Sequence, residues 1–147
     1  MLGRARASEN VDIIIPKTSL NQLKALYTEL KNGKFYCLNC EKIEDIYNDY
    51  LNNNIAVRFA RISTAIPNIE LKFVKNEIDL LTLKNKIVVR VSKEDIFISQ
   101  LELQIAFKEE VLQSPKDMED ARHLRNIAEN CLDKKLIEEY KVMLHGI

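Results

Sequence analysis

The chain has 147 residues, 46% of them hydrophobic, which is enough for one domain with a real core and too few for two comfortable ones. Lys plus Arg equals Asp plus Glu at 22 each, so there is no global basic field, and any contact with a nucleotide or nucleic acid has to be local. No apolar run approaches the roughly 18 residues of a membrane span, residues 1–10 lack the apolar middle of a secretion signal, and three cysteines read as reduced thiols, so a cytoplasmic protein without membrane contact is expected.

Taken in chain order, residues 11–15 form a β-branched strand closed by Pro16. Ser19 with Gln22 makes a capping-box start for a helix through about Lys31, stopped at Asn32 and Gly33. A short apolar patch at 35–38 follows, then helical spacing over 41–51 through Ile43, Ile46, Tyr47, Tyr50 and Leu51, ended by three asparagines. Residues 55–59 and 69–73 alternate, and the turn-rich "STAIPN" between them predicts neighbouring antiparallel strands with Glu70 and Lys72 on one face. After a short segment at 78–83, residues 87–91 and 95–98 read as a second strand pair. The remainder reads as helical: Ser99 with Glu102 as a second capping box opening a helix to about Leu112, Ser114 and Pro115 opening the next, and Asp133 capping a last one. The expected fold class is α+β, a small mixed sheet flanked by helices, with a core over about 1–98 and a helical tail over about 99–147 of a single domain.

The opening stretch "GRARASENVDIII", residues 3–15, carries the first candidate chemistry. Asn10 and Asp12 lie two apart on a strand and so share a face. Carboxylates so spaced can hold Mg²⁺, a hard cation that takes oxygen ligands and is completed by substrate phosphates. Asn10 offers a carbonyl oxygen without the charge, while Arg4, Arg6 and Ser8 suit phosphate oxygens. The plainer alternative is a polar start to an edge strand.

Gly3, Arg6, Ser8, Asn10 and Asp12 match, position by position, a Gly-x-x-Arg-x-Thr-x-Asp-x-Asp pattern. The stretch therefore resembles the metal-binding strand of the minimal nucleotidyltransferases of the polymerase-beta-like superfamily, the abortive-infection toxin type above all. "ISQLELQIAFKEEVLQSPKDMEDARHL", residues 98–124, is similar to the closing segment of that group, in which a helix start leads to a Lys and then to Lys-Asp-x-x-Asp, here Lys108, Lys116, Asp117 and Asp120. The resemblance implies a mixed sheet on which strand carboxylates hold Mg²⁺, while a third carboxylate helps to activate a hydroxyl for transfer of a nucleotide from a nucleoside triphosphate. Asp12 matches the second carboxylate, Asn10 stands where the first belongs, and Glu70 is the choice for the third. Arg6, Ser8 and Lys108 are the implied phosphate-binding residues. The implied acceptor is a tRNA end or a protein hydroxyl, in a toxin–antitoxin setting.

Two departures accompany the resemblance. An amide in place of a carboxylate removes charge from the metal cage, so slow or absent catalysis is expected. Family members also carry an upstream strand ending in a Gly-Gly or Gly-Ser turn that cradles the triphosphate. The sequence begins two residues before Gly3 and lacks that element, so either a start farther upstream or a shortened relative is expected. A sheet edge left open by its loss invites a homodimer. A second reading thus stands beside the enzyme: a decayed nucleotidyltransferase-fold module that acts by partner binding or oligomerisation.

Other motifs have simpler readings. Cys37-Leu38-Asn39-Cys40 has zinc or redox spacing, but further ligands would have to come from Cys131, His123 or His145, and two thiols before a helix is the plainer reading. Asp117 and Asp120 also suit the first turn of a helix and ion pairs to a neighbouring one. His123 reads as a boundary histidine, and Lys134, Lys135, Glu138, Glu139 and Lys141 as a solvated face.

Overall fold

The structure, a computed structural model, describes residues 10–147, with the backbone alone at Ala65 and Ile66. Gly3, Arg4, Arg6 and Ser8 lie outside the described residues. The chain packs as two compact units that divide between Leu80 and Leu81.

In the first unit, β1 (Asn10–Ile15) leads into α1 (Leu20–Asn32), β2 (Phe35–Cys37) and α2 (Ile43–Asp45). The capping box at α1 forms as expected: Gln22 N–H donates to Ser19 Oγ at 3.2 Å, and Ser19 N–H donates back to Gln22 Oε1 at 2.9 Å. Helical structure over 41–51 is realised from Ile43, where α2 runs on through a π turn (Ile46–Tyr50) and a 3₁₀ turn (Leu51–Asn53) to Asn54, whose φ of 60° ends it. β3 (Val57–Arg61), β4 (Thr64–Phe73) and α3 (Glu77–Lys84) follow, and the unit boundary falls within α3.

The "STAIPN" turn is corrected. The chain reverses over Ile62 and Ser63, Ser63 having φ 74°, and Thr64 onward belongs to β4. Pro67 is tolerated there because the β3–β4 register jumps from Arg61↔Thr64 to Phe59↔Ile69, so its missing N–H falls where the ladder to β3 is interrupted.

These strands form a mixed sheet in the order β1-β4-β3-β2, with β1 parallel to β4 and the other pairs antiparallel. Period-two alternation separates its faces. Val57, Phe59, Leu71 and Phe73 are buried against Leu23 and Tyr27 of α1 and against Ile46 and Leu51, with Tyr27 on Phe59 and Tyr47 on Phe73 at 6.1 Å between ring centres. The other parity places Asn10 and Asp12 of β1, Asn68, Glu70 and Lys72 of β4, and Arg58 of β3 on the opposite, polar face.

The second unit begins with a hairpin of β5 (Ile87–Val91) and β6 (Glu94–Ile98), a two-stranded sheet of its own. α4 (Leu101–Phe107), continued by a π turn (Lys108–Leu112), α5 (Pro115–Ile127) and α6 (Lys134–Leu144) complete it, burying Leu103, Ile105, Ala121, Leu124, Ile137 and Leu144. Ser114 and Asp133 cap α5 and α6 as expected. The Ser99–Glu102 box does not form, because Gln100 is the N-cap and the buried Glu102 instead accepts the Asp133 N–H at 3.0 Å. Among the described residues no helix is long and apolar enough to cross a membrane.

Candidate functional site

The parallel pairing of β1 with β4 sets Asn10 opposite Asn68 and Asp12 opposite Glu70. Adjacent strands lie about 4.8 Å apart, so the two carboxylates project from neighbouring backbones onto one face. β3 extends the row on the other side of Glu70, because Arg58 is its cross-strand partner there. Arg58 Nε donates to Glu70 Oε2 at 3.1 Å. Two residues along β4, Lys72 Nζ meets Asp79 Oδ1 at 3.0 Å, and Asp79, only 4% exposed, also accepts the Lys75 N–H at 3.1 Å.

The donor set on this face is oxygen only: the carboxylates of Asp12 and Glu70 and the amide oxygens of Asn10 and Asn68. Asn68 Oδ1 is buried and has no hydrogen-bond partner among the described residues, a state that a hard cation or an ordered donor relieves. In kind these groups fit Mg²⁺. In charge they supply two carboxylates, one already paired to a guanidinium, and the described residues hold no cluster of three His, Cys, Asp or Glu side chains able to hold a metal ion.

Lys108 belongs to the second unit, where its ammonium lies 3.5 Å from Asp117 and 3.4 Å from Asp120. Asp117 is held in turn by the Ser114 hydroxyl, and that hydrogen bond, with the Lys108 charge behind it, keeps its carboxyl below the ordinary aspartate range. The π turn presents Glu109 to two cations, Arg125 through Nε at 2.6 Å and Nη2 at 2.8 Å, and Lys141 at 3.4 Å. Glu110 meets His145 Nδ1 at 2.5 Å. From Leu101 onward the segment 98–124 is thus an ion-paired helical framework, with Lys116 exposed on its surface.

Cys37 is buried in the core of the first unit, and Cys40 Sγ lies 3.8 Å from Asp45 Oδ2. The residue between them that does the most is Asn39, whose Oδ1 accepts the Arg58 backbone N–H at 2.8 Å. His123 is half-buried, and its Nε2 has no hydrogen-bond partner among the described residues. Two grooves, one lined by Glu109, Met118, Arg122 and Arg125 and one by Lys34, Arg61, Ile62 and Ser63, include neither Asp12 nor Glu70.

The register brings Asp12 and Glu70, both expected from the sequence, side by side, and sets beside them Arg58 and Asn68, which the sequence does not single out. Arg58 is visible as the one polar position of the alternating stretch 55–59, yet its assignment to Glu70 needs the register. No protein-family model matches the chain, and no curated protein matches it either.

Proposed function

We propose that the chain is a nucleotidyltransferase-like module that takes a nucleoside triphosphate on the polar face of its mixed sheet and passes a nucleotide, slowly, to an RNA or protein hydroxyl, in a toxin–antitoxin setting. The observation that carries this reading is the in-register placement of Asp12 and Glu70 on adjacent parallel strands, with Asn10 two residues before Asp12 on the same face. Asp12, Asn10 and Glu70 would hold Mg²⁺, which when bound supplies charge neutralisation at the phosphates. Asp12 and Asn10 would position that cation, and Glu70 would accept the proton of the attacking hydroxyl as its oxygen bonds to phosphorus and pyrophosphate leaves. Arg6 and Ser8 are the phosphate-side residues of this proposal.

One observation favours a second reading. Glu70 is already engaged by Arg58, and an amide stands at position 10, so the same face also suits a decayed module that binds a partner without turnover.

Calorimetric titration with Mg²⁺ and a nucleoside triphosphate tests the proposal. Weak binding is expected for the parent chain, binding about tenfold tighter for Asn10→Asp, which restores one charge near the cation, and none for Asp12→Ala. Heat from Asn10→Asp alone supports the decayed module. Silence from every variant removes the site and leaves partner binding.

A further inference from the structure

Resting on the nucleotide site just proposed, we infer that Arg58 is a positioning residue that latches Glu70, withholding its carboxylate from a divalent cation until a triphosphate draws the guanidinium away. Three contacts fix where Arg58 stands. Its backbone N–H donates to Asn39 Oδ1 at 2.8 Å, its carbonyl accepts the Leu38 N–H at 2.8 Å, and its side chain reaches Glu70 Oε2 at 3.1 Å.

The anchoring is uneven, and that is what makes a latch. The backbone of Arg58 is clamped by the loop after β2, whereas its side chain is 53% exposed and that of Glu70 30% exposed. An ion pair so open to water is weak and screened, so the head group can leave while its base stays in place. While the pair is made, Glu70 Oε2 has a cation beside it, and the charge lost at Asn10 acts in the same direction. Both changes disfavour a bare divalent ion.

A triphosphate alters the balance. Its oxygens match the planar fork of a guanidinium better than a single carboxylate oxygen bonded through Nε does. Capture of phosphate by Arg58 and release of Glu70 toward the cation are then one exchange, and cation and nucleotide bind together more readily than the cation binds alone. A side chain that only stiffened the sheet would shift both affinities the same way.

The test reads two affinities. Mn²⁺ alone is titrated by electron paramagnetic resonance, and adenosine triphosphate with Mn²⁺ by calorimetry, into the full parent chain, Arg58→Gln, Arg58→Lys and Asn10→Asp. Arg58→Gln is expected to bind Mn²⁺ alone about three- to tenfold tighter, because a neighbouring positive charge is gone, and the triphosphate about tenfold weaker. Arg58→Lys keeps the charge and stays near the parent for Mn²⁺ alone, which separates charge from folding. Equal Mn²⁺ affinity in Arg58→Gln and parent, or a triphosphate bound no more weakly by Arg58→Gln, overturns the latch; with Asn10→Asp still binding, the nucleotide site survives that result. If Asn10→Asp is silent too, the site falls with the latch.

Discussion

Glu109 shows what a single charged side chain does in the second unit. It accepts two hydrogen bonds from Arg125 and lies 3.4 Å from Lys141, with a side chain only 13% exposed, so these contacts are not the solvent-screened kind. The Arg125 hydrogen bonds hold its carboxyl below the ordinary glutamate range against the opposing effect of burial, and Arg125 is pushed up in return. A carboxyl lowered in the folded state contributes stability that is fully present above its unfolded value, about 4.3, and is lost as pH falls through the folded value. Glu109→Gln is therefore expected to destabilise the chain by about 1.5–3 kcal/mol near neutrality, since two cations lose their partner. Denaturant melts from pH 7 to pH 3 check it: the gap between parent and variant should be widest near neutrality and shrink as pH falls from the unfolded value through the lowered folded one. A gap that does not change with pH would mean that the substitution acts through packing and not through charge.

Two helix starts that look alike in sequence part ways at the scale of elements. Ser19-x-x-Gln22 and Ser99-x-x-Glu102 both fit a capping box, yet the first forms one and the second does not. Ser19→Ala should cost about 1 kcal/mol, as the loss of a working cap does, while Ser99→Ala should stay within about 0.5 kcal/mol. Equal costs in thermal melts would contradict the assignment of Gln100 as the cap. The contrast also shows where the sequence is legible. Local signals carry β1, α1, both hairpin strands and the starts of α5 and α6, because alternation and side-chain caps are written within a few residues. They fail where a distant group competes. Glu102 is taken by the backbone of Asp133, 31 residues away, and Pro67, which reads as a turn, sits in a strand because a bulge removes the need for its N–H. The π turn at Lys108–Leu112 is equally hidden, though it is what points Lys108, Glu109 and Glu110 at partners on α5, α6 and the C-terminal end.

At the scale of the whole molecule, the candidate site depends on a pairing that no local pattern states. Asp12 and Glu70 are 58 positions apart, and only the parallel β1–β4 register makes them neighbours; a slip of one residue would turn Glu70 to the core face. The same topology gives β1 one strand partner, β4, among the described residues, and Ile13 on β1 is 37% exposed. An antiparallel pairing of two copies centred on Ile13 would match Val11 with Ile15 and keep Asp12 opposite Ile14 of the second copy, so that no like charges meet. A homodimer through β1 is the expected outcome. Light scattering on the parent chain should then give twice the 17.1 kDa chain mass, and Ile13→Lys, which places a charge in the middle of β1, should return the monomer. The nucleotide face need not be lost in that variant, since Ile13 has the opposite parity to Asp12, and unchanged triphosphate binding by Ile13→Lys would separate assembly from the site. A monomeric mass for the parent would show that the edge of β1 is protected in some other way and that the polar face belongs to a single copy.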